Sequence, residues 1–267
     1  MHIVVCIKQI FDPEAAAALF RVDEEHNRAV FWQGTPQVIS PFDEQALEAA
    51  LRIRDAVGTA KIAVITLGPD SARAAIKSAL SMGADEAVLL SDPAFEGSDA
   101  HATAVALAAA IRKLGGVDLV LAGRQAADSD AGVVGLSLAE YLELPGISFA
   151  KDIRIEDRVV VVERVVGDGL EIVEANLPAL VTVSHELGRP RKPSLRDTMK
   201  AARKPVIVWS AVDLGLAPEA TGAAGARRVL ERLYAPDNTV VCQFIESASP
   251  EQMAQNLARQ LQAARLI

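Results

Sequence analysis

The residues best suited to chemistry lie in Val117–Gly135, VDLVLAGRQAADSDAGVVG. An apolar, β-favouring run from Val117 to Ala122 stops at Gly123. A polar loop with Asp128, Ser129 and Asp130 follows, and a helical pattern opens at Ala131 and runs through Leu136, Ala139 and Leu142. Strand, loop and helix start in that order is where α/β proteins hold nucleotides. The N–H groups at the helix start attract phosphate, and a loop carboxylate can accept from ribose hydroxyls. The two aspartates have a second reading, as caps of the helix. Two carboxylates beside a phosphate would repel it, so a bound nucleotide should turn its phosphate to backbone amides near Ala131–Gly135 and its ribose to an aspartate. Gly132 and Gly135 remove side-chain bulk there. The loop carries no nucleophile or general base with an evident partner, which describes a holder of a nucleotide rather than a reactor.

Two further turns converge on the same strand edge. Thr66-Leu67-Gly68-Pro69 leaves the Ile62–Thr66 strand, and Ser40-Pro41-Phe42-Asp43 opens a helix with Ser40 as cap, Pro41 at the first position and Asp43 three residues on. Each turn alone is ordinary turn chemistry; together they predict a pocket. Lys8 and Gln9 end the first strand nearby, with Lys8 read as solvated. His101, near a helix start, and His185, on a strand end, lack the neighbours of a catalytic base. The chain has no G-x-x-x-x-G-K-[ST] loop, and Gly167-Asp168-Gly169 has Ile172 where a dinucleotide fingerprint needs its third glycine. Cys6 and Cys242 form no C-x-x-C pair, and four scattered histidines give no zinc spacing, so no metal site is expected.

The elements that must position these residues alternate. Apolar runs at Ile3–Ile7, Ile62–Thr66, Ala87–Leu90 and Val117–Ala122 are separated by helical patterns at about 43–57, 70–82, 99–114 and 131–143. This predicts a parallel sheet covered by helices. Beyond Asp152, Arg158–Val166 and Leu170–Ala175 flank Gly167-Asp168-Gly169 as a hairpin, so an antiparallel extension is expected, with Ala179–Ser184 returning to the sheet. The expected division is an α/β, mostly parallel, doubly wound (Rossmann-like) nucleotide-binding domain over 1–205 and a C-terminal arm over 206–267. The arm starts at strand-like Val206–Trp209 and ends in a helix opened by Ser249-Pro250-Glu251-Gln252.

A chain of 267 residues, 51% hydrophobic, is comfortably globular. Its net charge of −8 argues against a general nucleic-acid binder. The opening MHIVVCIK lacks a signal peptide's basic region, and no run is long enough to span a bilayer, so a cytoplasmic location is expected. One segment reverses the charge. Residues 189–204 carry Arg189, Arg191, Lys192, Arg196, Lys200, Arg203 and Lys204 against Asp197 alone, a net +6, around Leu195 and between prolines. We read residues 186–204 as an exposed loop, with a basic rim about one apolar anchor suited to docking an acidic partner.

Taken together, IVVCIKQIFD, SPFDEQALEAA, ITLGP, GADEAVLL, GRQAADSD, LPALVTV and SLRDTMKAARKP resemble the β subunit of electron transfer flavoprotein over nearly the whole chain. The resemblance implies a heterodimer with an α subunit that holds most of a redox FAD and passes electrons from dehydrogenases to a quinone reductase or other acceptor. Donors would be acyl-CoA or amine dehydrogenases. It implies that the β subunit buries an adenine nucleotide of its own, a structural AMP in simple carriers or a second FAD in electron-bifurcating members. By motif, that pocket would be built from Cys6, then Ser40, Pro41, Phe42 and Asp43, then Thr66. The acidic loop would add Asp128, Ser129, Asp130, Ala131, Gly132, Val133, Val134 and Gly135, with Ser137 and Ala139 on the helix behind it. Leu195 matches the anchor of the family's recognition loop, with Arg191, Arg196 and Lys200 around it.

Ser40 stands where the family commonly has asparagine, and Ala131 and Val133 where many members have threonine, asparagine or glutamine. Fewer side-chain donors leave AMP and FAD both open, with AMP the first expectation. The alternative within the family is a bifurcating subunit that oxidises NADH at a second flavin. From another class, the alternative is an ATP-binding universal-stress-type protein, which would have no use for the basic segment or the arm. In the leading reading the chain is a carrier subunit with no catalytic residue of its own.

Overall fold

In the computed structural model, residues 1–236 and 242–267 are described; positions 237–241, within the expected arm, lie outside them. The elements in chain order are β1 (His2–Cys6), β2 (Gln9–Phe11), β3 (Phe20–Asp23), β4 (Arg28–Phe31), β5 (Gln37–Ile39), α1 (Pro41–Val57), β6 (Lys61–Leu67), α2 (Arg73–Met82), β7 (Glu86–Leu90) and α3 (Ala100–Leu114). Then come β8 (Leu119–Gly123), α4 (Val134–Leu142), β9 (Gly146–Glu156), β10 (Val159–Val166), β11 (Gly169–Asn176), β12 (Ala179–Val183), α5 (Leu195–Arg203), β13 (Ile207–Trp209), α6 (Gly222–Gly225) and α7 (Pro250–Ala263).

A nine-stranded sheet runs β11-β10-β9-β12-β8-β1-β6-β7-β13. From β9 to β13 every pair is parallel, whereas β9, β10 and β11 form an antiparallel meander at one edge. The parallel strands are apolar throughout because both faces are covered. In β1, Ile3 and Val5 join the core under α1 and α2, while Val4 and Cys6 join the one under α3 and α4. From β1 the chain winds outward through β6 and β7, then crosses back to β8 on the other side. The β1/β8 boundary is therefore the topological switch point, where carboxyl ends of strands leave a crevice for a ligand.

The parallel sheet, the antiparallel extension and the helical layers agree with the sequence reading, but four local expectations are corrected. The helix expected from 131 starts at Val134, because Asp130 and Gly132 adopt left-handed backbone (φ 49° and 61°) and lengthen the loop. Residues 70–72 form a 3-10 turn ahead of α2. The segment expected as a loop over 186–204 contains α5, capped by Ser194, whose Oγ accepts from Asp197 N. Its helical character was hidden because only Ala201 is buried. Residues 9–39, to which the sequence reading assigned no element, form two small antiparallel pairs, β2–β5 and β3–β4. The returning strand β12 enters the middle of the sheet, between β9 and β8.

β13 extends the main sheet at β7. The chain beyond it crosses α3, where Asp99 Oδ2 accepts from the N–H groups of Arg227 and Arg228 (2.9 Å each). Asn27, in the β3–β4 turn, accepts from Leu233 N and donates to the carbonyl of Glu231. Among the described residues, no helix is long and apolar enough to cross a membrane.

Candidate nucleotide-binding crevice

A cavity of about 560 Å³ opens at the switch point, a size typical of small-molecule sites. Its floor is the carboxyl edge of the sheet: Cys6 at the end of β1 with Ile7 and Lys8 beyond it, Leu67 at the end of β6, and Ala122 and Gly123 at the end of β8. One wall is the loop from Arg124 to the start of α4, including Ser129 and Ala131 to Gly135. The opposite wall is the start of α3 with Asp99, and Arg228, Val229 and Leu230 from beyond β13 close it.

Asp43 ties the floor together. Sequence spacing cast it as the reciprocal half of a helix cap, but its side chain does not serve α1. Oδ2 accepts from Lys8 N (2.8 Å) and Oδ1 from Gly123 N (3.0 Å), joining the ends of β1 and β8. Burial pushes its carboxyl up to about 7, outweighing the two donors that favour the anion. Gly123 is required here: a Cβ would stand 2.5 Å from Asp43 Oδ1 and 2.8 Å from Phe42 backbone. Ser40 occupies the cap position without capping. Its Oγ, fully buried, accepts from Ala127 N (3.4 Å) and so holds the loop instead. Burial, reinforced by the neighbouring Asp43 charge, pushes the Cys6 thiol up, so it remains neutral.

The acidic loop departs from the capping reading. Neither aspartate caps α4. Asp128 pairs with Lys8 Nζ (2.7 Å), and Asp130 accepts from Gln125 Nε2 (2.7 Å). Lys8 is exposed, as expected of a solvated lysine, and its ammonium also meets Asp128. Val133 precedes α4 without a side-chain bond, so the first-turn N–H groups of the helix are left for another acceptor at the cavity wall. Gly135 lines the cavity and is also required by packing, since a Cβ would stand 2.6 Å from Thr182 Cγ2.

Of the remaining expected positions, Thr66 is buried at the sheet edge with its hydroxyl unpartnered. Pro41 is exposed, and Phe42 lies under the Arg124 guanidinium, which also covers the Phe149 ring (5.5 and 5.3 Å). Ser137 and Ala139 do not line the cavity; Ala139 is buried beside Gly146. Sequence reasoning missed Arg124, Asp99 and the stretch 228–230. Asp99 carried a signal as the residue before an alanine-rich helix, and its Oδ1 does cap α3 through Ala102 N. Nothing local could place residues 228–230 against it.

The expected docking residues lie on or before α5. Leu195 is 78% exposed, with Arg196 and Lys200 exposed beside it. Arg191 is turned inward, onto Glu48 and Asp55 of α1. Among the described residues no cluster of side chains could hold a metal ion.

The model of the electron transfer flavoprotein domain matches residues 30–214. The CarD subunit of the caffeyl-CoA reductase-Etf complex of Acetobacterium woodii is 38% identical over the full length of both chains. The electron transfer flavoprotein subunit beta of Thermoanaerobacterium thermosaccharolyticum is also 38% identical, again over both full lengths. Protein FixA of Azorhizobium caulinodans is 38% identical over 93% of this chain and 90% of its own.

Proposed function

The chain belongs to the electron transfer flavoprotein family as a β subunit, and on that premise we propose that it holds an adenine nucleotide in the switch-point crevice, completes the FAD site of an α subunit and docks a dehydrogenase through Leu195. The observation that carries the nucleotide reading is the uncapped start of α4 facing the cavity. The residues present fit such a ligand. Backbone amides of Val134 and Gly135 would receive the phosphate, and Arg228 adds positive charge to the wall. Leu67, Leu107 and Val133 offer apolar surface to a purine. Thr66 has a hydroxyl without a partner at the same edge. Bound flavin supplies the electron chemistry; this chain's residues bind, orient and exclude water.

The first reading of the occupant is AMP. The second reading, a further FAD, draws on the apolar lining that Leu107, Val229 and Leu230 add to the cavity. The relative named as part of a caffeyl-CoA reductase-Etf complex supports attention to that form. The arm, 206–267, would pack on the α subunit: α7 buries none of its residues, leaving Met253 and Leu257 uncovered one turn apart. The donor is read as an acyl-CoA or amine dehydrogenase, the acceptor as a quinone oxidoreductase, and the location as cytoplasmic.

The test is to co-purify the chain with its α subunit, denature the complex and quantify released nucleotides. One FAD and one AMP per heterodimer support the single-flavin carrier. Two FAD and no AMP move it to the bifurcating form, with NADH as the next ligand. ATP alone, without flavin, refutes the assignment.

A further inference from the structure

Helix α5 projects Leu195 and Met199, four residues apart and 78% and 60% exposed, yet it is fastened firmly at both ends. At its leading end, four side chains of α1 spaced along one helical face hold the incoming segment. Gln45 Nε2 donates to the carbonyls of His185 and Gly188. Arg52 donates to the carbonyl of Leu187 (2.9 Å) and to Glu48 Oε1 (3.0 Å). Glu48 Oε2 accepts from both the backbone N (3.1 Å) and Nε (2.8 Å) of Arg191, and Asp55 accepts from the same guanidinium (2.9 Å). The Glu48 side chain is only 6% exposed. Burial works against its charge, but the Arg191 and Arg52 donors prevail and hold its carboxyl below the usual range.

At its trailing end, Lys77 of α2 donates to the carbonyls of Ala201, Ala202 and Lys204, and Lys204 Nζ returns to the carbonyl of Ala84. Ala201 is buried against the sheet-covering layer. A surface helix of nine residues is marginal alone; this one is fixed from outside its own sequence.

We infer that Glu48 and Lys77 are positioning residues for partner docking: they hold α5 as a preformed platform, so that Leu195 meets a dehydrogenase without an ordering step. The inference rests on the docking role proposed for Leu195. An acceptor site held in place in advance lowers the ordering cost of association, so loosening either end should weaken docking without touching electron transfer inside the complex.

The experiment uses the heterodimer, with an acyl-CoA dehydrogenase that reduces its wild-type flavin as donor. Glu48→Gln and Lys77→Met are each expected to raise the KM for the heterodimer about tenfold, in the range of effects from misplaced binding elements, with kcat and nucleotide content unchanged. Amide exchange over residues 195–203 should accelerate in both. In a Leu195→Ala background, Glu48→Gln should add less than about twofold, since coupled residues are not additive. If Leu195→Ala raises KM while Glu48→Gln and Lys77→Met do not, the platform inference fails. It fails equally if Glu48→Gln multiplies fully with Leu195→Ala. If Leu195→Ala itself changes nothing, the docking reading fails instead. Should Glu48→Gln not assemble, Lys77→Met, at the far end of the helix, decides alone.

Discussion

Asp43→Asn separates two forces that oppose each other in the crevice floor. The carboxyl accepts two backbone N–H groups, which favours its anion, but it is only 7% exposed, and burial lifts it from 3.8 to about 7. The folded chain therefore binds a proton that the unfolded chain has released. Stability from this group is fully present below pH 3.8 and is lost as pH rises through 7. The loss is about 2 kcal/mol at pH 5 and about 4 kcal/mol at pH 8. Asparagine does not titrate, but its amide nitrogen cannot accept from the N–H group that one of the two carboxyl oxygens receives, which costs about 1–3 kcal/mol at every pH. Set against the roughly 2 kcal/mol that wild type has already lost at pH 5, that cost leaves the variant within about 1 kcal/mol of wild type there, and it should gain about 2–3 kcal/mol on it by pH 8. Thermal unfolding of the heterodimer at matched nucleotide content reads this as a rise in the variant-minus-wild-type Tm of roughly 4–10 °C between the two pH values. A flat or falling difference would mean that the two N–H donors outweigh burial and that Asp43 is an ordinary buried carboxylate anion.

Leu195→Ala should raise the KM for the donor dehydrogenase at least tenfold, about the size of an interface anchor, while the flavin content stays the same; unchanged transfer kinetics would remove the docking role. Thr66→Val replaces an unpartnered buried hydroxyl, so melting temperature should hold or rise. If the hydroxyl serves the nucleotide, the same variant should release its nucleotide several-fold faster in a dilution chase. Gly135→Ala drives a methyl into Thr182 and should cost about 1–3 kcal/mol, measured as a lower Tm. An unaltered Tm would show that α4 can shift away freely.

The sheet was legible because its strands are buried on both faces and therefore read as unbroken apolar runs, such as Ile62 to Ile65. The sheet edge that carries the cavity was legible because strand-loop-helix order survives in sequence. What was not legible depends on distance along the chain. Ser40 and Asp43 had the spacing of a capping pair, but their partners, Ala127, Lys8 and Gly123, lie across the sheet and displace the local bonds. Helix α5 carried its start signal at Ser194 and Asp197, yet its polar faces gave no apolar period to extend it. The start of α4 was misplaced because no side-chain type at Asp130 announces left-handed backbone.

Asp99 holds the start of α3 with one carboxylate oxygen and the backbone of Arg227 and Arg228 with the other, and Arg228 to Leu230 form a wall of the cavity. One side chain thus fastens the cavity's outer wall to the helix behind it. A change at Asp99 would therefore be felt in two places at once, loosening the first turn of α3 and freeing the backbone that walls the cavity.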